Sequence, residues 1–262
     1  MPRHAMPQPR DTFPNAFEAA FLVACLFAVQ FLIGAALYDA RDVLGMHPND
    51  LMDLASVLGN GVMFTVVMQW SGLSYGNLFH PARSSPIAVV GLLALPILCL
   101  VPALTLAIMA IELVVVVLFP ISASDVAMFE RMTSGGLISV LMVCLVAPMV
   151  EEMLFRGVIL RSFLRQYRRW PAIYGTALLF GLTHMNIYQG VAAFITGTLM
   201  GWLYERTQSL WPCILLHAAY NAAVMFGSGA DSDAWPALWL LAFLLAGAGS
   251  FALRRLLLPR RA

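Results

Sequence analysis

GLISVLMVCLVAPMVEEMLFRGV, residues 136–158, is the stretch on which the fold turns. Its first fifteen residues carry no charge, and then Glu151, Glu152 and Arg156 fall within six positions. About 20 apolar residues in a helix cross the hydrocarbon of a bilayer, so this run is long enough to span one. Ionisable groups at membrane depth are costly, which makes the three charges functional candidates by default. Two questions follow: whether the rest of the chain is also membrane-embedded, and what surrounds those charges.

Composition answers the first. Of 262 residues 61% are apolar and 11% charged, with a mean hydropathy of +0.82. A soluble domain carries about 25% charged residues and roughly 45–50% apolar ones. The chain reads as an all-α polytopic transmembrane bundle of about eight helices. The spans are expected at 17–38, 52–72, 87–118, 136–158, 172–186, 189–204, 210–227 and 235–252. Pro96 and Pro102 predict a kink or strong tilt in the long third span. The short fifth and sixth spans suit helices shielded by neighbours.

Charge sorts by side. All fifteen basic residues are arginine. With the tail (Arg254, Arg255, Arg260, Arg261) cytoplasmic, alternation also places inside Arg161, Arg165, Arg168, Arg169, Arg206, Arg83, Arg3 and Arg10. Only Arg41 and Arg131 fall outside, where Asp39, Asp42, Asp50, Asp53, Asp125, Glu130, Asp231 and Asp233 gather. Both termini are therefore expected in the cytoplasm. A net charge of +1 gives no nucleic-acid signal. Cys25, Cys99, Cys144 and Cys213 stand singly in apolar stretches, with no Cys-x-x-Cys pair to suggest a disulfide framework or thiolate metal site. The expected division is residues 1–134 as N-terminal helices, 135–228 as a core segment, and 229–262 as the last helix and basic tail.

Three polar clusters stand in the core. Glu152 and Arg156 are i,i+4 neighbours and can pair on one helical face. Glu151, rotated by about 100°, is left free of that partner. In the next span comes Phe180-Gly181-Leu182-Thr183-His184. If the two spans form a hairpin with its apex near Tyr167–Arg168, Glu151 and His184 are equidistant from the turn and lie at one depth. In the seventh span His217 and Asn221 share a face. Gly197-x-x-x-Gly201 permits close packing of the sixth span and would draw His184 and His217 toward one cavity. Gln30, Asn60 and Glu112 are scattered over three other spans, where interhelical packing or a wet cavity is the default reading.

One carboxylate, two imidazoles and a carboxamide suit amide hydrolysis in two ways. Glu151 and His184 can activate a water while His217 and Asn221 stabilise the oxyanion. Alternatively Glu151, His184 and His217 hold a zinc-like divalent ion with an open water position. No His-Glu-x-x-His is present, so three separate helices would have to assemble such a site. A non-catalytic scaffold and a proton-coupled transporter are the competing readings, the latter weakened by the lack of paired broken helices.

Glu151-Glu152-x-x-x-Arg156, Phe180-x-x-x-His184 and His217-x-x-x-Asn221, in this order on successive membrane helices, resemble the motifs of the CAAX prenyl protease and bacteriocin-processing (CPBP, Abi) family. The resemblance covers about residues 135–228, for which it implies the role of catalytic core. It implies an intramembrane, metalloprotease-like peptidase opening toward the cytoplasm and acting on a membrane-associated peptide or protein. By carry-over Glu151 is the catalytic carboxylate, His184 assists water activation, and His217 and Asn221 complete the site. Glu152, Arg156 and Phe180 are supporting motif residues. Compact size favours the bacterial branch, hence the inner membrane, and prenylated substrates are not assumed. A non-catalytic role in bacteriocin immunity or partner binding is the alternative within the same fold.

Overall fold

The computed structural model describes residues 12–45, 48–134, 136–227 and 235–258. Arg3, Arg10, Asp231, Asp233, Arg260 and Arg261 lie outside the described residues, as do the side chains of Asp50, Asp53, Arg131 and Trp235. What is described is helical throughout, without strands. In order the elements are α1 (Ala16–Asp39), α2 (Arg41–Leu44), α3 (Pro48–Ser71), α4 (Tyr75–Phe79), α5 (Pro86–Leu118) and α6 (Ala123–Ser134). Then come α7 (Gly136–Leu141), α8 (Ala147–Glu152), α9 (Arg161–Gln166), α10 (Arg169–Thr183), α11 (Ile187–Thr207), α12 (Trp211–Phe226) and α13 (Trp235–Leu257). Two wider π-helical stretches, Met142–Val146 and Met153–Leu160, join α7 through α9 into one continuous rod.

Asn15 opens α1 with a reciprocal capping box, its side chain accepting from the Glu18 N–H and Glu18 accepting from its own. Such a cap satisfies N–H groups that the first turn leaves without partners. Gly45, at φ 62°, closes α2 in the left-handed conformation that glycine adopts without penalty. The helices then pack along a few strong seams, α5 lying against both α13 and α12. α1 pairs with α3, and α5 with α13, where Gly249 lets the helix approach the Pro96 carbonyl. α10, α11 and α12 pack with the π-stretch in the interior.

Five helical stretches have the length and apolar character to cross a membrane: Ala16–Asp39, Leu54–Ser71, Pro86–Leu118, Gly136–Gln166 and Pro236–Leu257. The other three expected spans differ in kind. α10 and α12 are short, and α11 is the most shielded, with no exposed residue between Tyr188 and Thr207. α10 departs from the expectation that both short spans are screened. It buries Ile173, Ala177 and Phe180 but turns Tyr174, Leu178 and Leu182 outward. α6 is too polar to register as a span in the sequence, yet it forms a helix of 12 residues between α5 and α7.

The hairpin apex falls where expected. α9 ends at Gln166 and α10 begins at Arg169, leaving Tyr167 and Arg168 as the turn. The chain before α1 clamps it: Gln166 Nε2 donates to the carbonyls of Thr12 and Pro14 at 2.6 and 3.0 Å. α4 ties the same end together, since Arg161 donates to the Asn77 carbonyl and the Leu210 N–H to that of Phe79.

Candidate functional site

The central object is a buried ion pair with a third member. Arg156 Nη1 donates to Glu152 Oε1 at 2.6 Å, one helical turn away, and both side chains are fully buried. The same oxygen accepts from His217 Nδ1 at 3.0 Å. The other oxygen, Oε2, has no partner among the described residues. Arg156 Nη2 donates to the Gly197 carbonyl on α11 at 3.0 Å. A single carboxylate oxygen thus joins α8, the π-stretch and α12, and the arginine extends the link to α11. The Glu152–Arg156 pairing is legible from its spacing. The Glu152–His217 bond is not, because 65 positions separate the two.

Glycine makes room for this network. A Cβ at Gly197 would stand 3.1 Å from Arg156 Nη2 and 3.2 Å from the Phe180 ring. At Gly201 it would meet Ile173 at 3.0 Å. Small residues at this spacing therefore seat α11 against α10, as the pattern implies. Phe180 is the packing centre: Phe155, His184 and His217 lie with ring centroids 4.9, 5.0 and 5.7 Å from its own. The Arg156 guanidinium sits 4.9 Å from the same ring. A desolvated cation over an aromatic face is an attractive contact.

Glu151 points away from the pair and is about one-third exposed. Its Oε2 lies 3.7 Å from His217 Nε2. Because Glu152 holds Nδ1, the imidazole is fixed in orientation and Nε2 is aimed at Glu151. His184 closes α10. Its Nδ1 donates to the Phe180 carbonyl at 3.0 Å, which leaves Nε2 as the ring atom free to act. Met185 follows in the left-handed region, φ 52°, before Asn186 restarts the chain as the N-cap of α11. A non-glycine residue there costs roughly 1–2 kcal/mol. This turn is what leaves His184 at a helix end facing a cavity.

Asn221 is placed by a feature of the backbone. In the π-stretch the Ala147 N–H reaches back five residues to the Met142 carbonyl. The next donor in that register is Pro148, which has no N–H, so the Val143 carbonyl is left without a helical partner. Asn221 Nδ2 donates to it at 2.8 Å. Unpaired backbone groups in a membrane interior are expensive, so this bond anchors the side chain firmly.

Glu151, His184, His217 and Asn221 all line one cavity of about 520 Å³, with Glu112, Phe129, Tyr188, Tyr220 and Met225 among its other walls. No lysine or arginine lines it. Glu112, read from sequence as unrelated to the cluster, therefore shares its chamber. Beyond the chamber Asp125 accepts from Asn186 Nδ2 at 2.7 Å, bracing α6 to the α10–α11 turn. Hydrogen bonds from Ser122, side chain and backbone, hold the Asp125 carboxyl below the usual carboxylate range.

A second, smaller cavity of about 180 Å³ meets the first at the same two groups. Gln30, Ser56, Asn60, Thr183, Glu151 and His184 form half of its lining, and apolar residues such as Leu26, Phe27 and Phe155 form the rest. Gln30 and Asn60 also lack any sequence spacing that connects them to Glu151. Only the packing of α1 and α3 against the core brings them there.

Residues 133–223 match the family model described as type II CAAX prenyl endopeptidase Rce1-like. This segment, about a third of the chain, is similar to the Rce1-like family. The matched segment contains all three motifs and runs from the end of α6 into α12, so it takes in the π-stretches and the Gly197–Gly201 seat as well. α1 through α5 and α13 lie outside it. Comparisons with curated proteins and with solved structures gave no match. The Rce1-like match supports a CAAX-type protease fold set in a membrane bundle.

Glu151, His184 and His217 are donor types suited to a zinc-like ion. Among the described residues, however, no three His, Cys, Asp or Glu side chains converge closely enough to hold a metal. Nδ1 of His217 is engaged by Glu152 and Nδ1 of His184 by the Phe180 carbonyl, so each ring keeps Nε2 for the chamber. As placed, the described side chains do not form a metal centre, and the proposed chemistry runs through protein groups and water.

Proposed function

We propose that the chain is an intramembrane endopeptidase that hydrolyses a peptide bond of a membrane-associated peptide or protein. The observation that carries this reading is that Glu151, His184, His217 and Asn221, from three separate helical segments, line one largely apolar chamber of about 520 Å³. Such a chamber accepts an extended apolar segment, and the polar groups gather on part of its wall.

In this reading Glu151 is the general base. Its carboxylate takes a proton from water as the water oxygen bonds to the scissile carbonyl carbon. It returns that proton to the amine nitrogen as the C–N bond breaks, so the carboxylate is regenerated. His184, oriented through Nδ1 by the Phe180 carbonyl, holds the water with Nε2. His217 and Asn221 stabilise the oxyanion. For His217 this role requires a proton on each ring nitrogen, one held by Glu152 and the other offered to the oxyanion. Asn221 has one amide hydrogen engaged at Val143 and one left to donate. Glu152 and Arg156 position His217 and do not touch the substrate. The bacterial inner membrane is taken from the family resemblance and the compact size. The arginines gather at the Tyr167–Arg168 end, whereas Ile121, Phe129 and Tyr188 set the chamber toward the other end, so an opening to the cytoplasm does not follow from the arginine distribution.

The test is cleavage of a reconstituted membrane-peptide library by purified protein. Glu151→Gln, His184→Ala and His217→Ala should each lower turnover by roughly 100-fold or more, with losses that do not add in combination. Size-exclusion behaviour and thermal stability of Glu151→Gln should match the parent. Activity retained in all three variants would refute the assignment.

A further inference from the structure

Glu151 and His184 form a wall between two cavities of different character, one largely apolar and one of mixed lining. On one side is the large apolar chamber. On the other is the 180 Å³ cavity between α1, α3 and the start of the π-stretch, walled by Gln30, Ser56, Asn60 and Thr183. We infer that this second cavity is a water site, which feeds the hydrolytic water to Glu151 and His184 from the face opposite the substrate.

The argument starts with Gln30. It sits in the middle of α1, among Phe27, Phe31 and Leu32, which are 39%, 75% and 65% exposed on the lipid-facing surface. Its carboxamide has no hydrogen-bond partner among the described residues. Moving an amide into hydrocarbon without a partner costs roughly 4–8 kcal/mol on a cyclohexane scale, so a partner is needed. The protein holds the side chain in place: Gly59 on α3 packs so closely that a Cβ there would stand 2.5 Å from Gln30 Cγ. Asn60, the next residue, spends one N–H on the Ser56 carbonyl at 2.8 Å and keeps its other amide groups for the cavity.

Size and polarity agree. A cavity holds water when it is polar and offers at least about 10–15 Å³ of probe volume per molecule with two to four partners. This one has room for several. The large chamber suits the opposite task, because filling it with an apolar segment displaces water from the substrate side. Water reaching Glu151 through the smaller cavity, along its Gln30 and Asn60 side, is not blocked by bound substrate. The delivery role rests on the hydrolase reading above, whereas hydration of the cavity does not.

Cysteine accessibility tests hydration without any cleavage assay. In a chain whose four native cysteines are replaced by alanine, Ser56→Cys should react with a small cationic methanethiosulfonate at least about tenfold faster than Phe31→Cys, since charged reagents partition poorly into hydrocarbon. Gln30→Leu/Asn60→Leu should slow the Ser56→Cys reaction toward the Phe31→Cys rate. Equal, slow labelling of both cysteines would overturn the water site. If the cysteine-free chain fails to fold, native Cys25, Cys99, Cys144 and Cys213 are retained and labelling at position 56 is read by peptide mass. For delivery, Gln30→Leu/Asn60→Leu should lower kcat about tenfold with KM unchanged. Fast labelling with unchanged kcat would overturn delivery and keep the water site. A parent protein that labels as expected but cleaves nothing would refute the hydrolase reading alone.

Discussion

Met153–Leu160 and Leu113–Phe119 have similar apolar character and opposite surroundings. All eight residues of the first are buried. In the second, Leu113, Val114, Val117, Leu118 and Phe119 are all more than half exposed. In water the second stretch would be a defect. In lipid it is ordinary surface, because hydrocarbon tails solvate leucine as well as a protein core does. Hydrophobicity therefore cannot distinguish core from coat in this molecule. What separates these two stretches is the buried Glu152–Arg156 pair and Gly157, which have no counterpart in Leu113–Phe119.

The contrast can be broken most directly at Arg156. Arg156→Ala leaves the Glu152 carboxylate buried with only His217 for company, and should cost about 3–5 kcal/mol. Thermal unfolding in detergent measures this, and Glu152→Ala/Arg156→Ala should be less destabilised than the single variant. A loss below about 1 kcal/mol would mean that the inner stretch tolerates charge as the coat would. Smaller in effect is Gly181→Ala. Its Cβ would stand 2.7 Å from the Gly190 carbonyl, backbone that cannot rotate away, so α10 and α11 must separate. A cost of about 1–3 kcal/mol is expected, together with reduced cleavage, because His184 lies three residues on. Val117→Ala, 80% exposed on α5, should stay within about 0.5 kcal/mol of the parent. A larger loss would show that the coat is packed against something after all.

Much of the helical framework was legible, since spans announce themselves by length and the Tyr167–Arg168 turn by its arginines. The pairing of Glu152 with Arg156 was legible too, because i,i+4 geometry is local. Three features were not. The bond from His217 to Glu152 joins residues that no periodicity relates. The placement of Asn221 depends on a π-register that deprives Val143 of a donor at Pro148, and a sequence shows the proline but not the register. Gln30, Asn60 and Glu112 read as isolated polar residues because each reaches its cavity through the packing of a helix on another. Sequence spacing identifies groups that share a helix, and only the fold identifies those that share a space.

The Glu152–Arg156 bridge has a consequence for biogenesis. The two charges lie on one helix, one turn apart, so they can neutralise each other before any other segment is in place. The 31-residue stretch Gly136–Gln166 can thus leave the translocon for the bilayer carrying its own counterion. Glu151 has no such companion on its own helix and is shielded only once later segments arrive. The order of synthesis, with α12 emerging after α10 and α11, makes this carboxylate the last of the three charges to be accommodated.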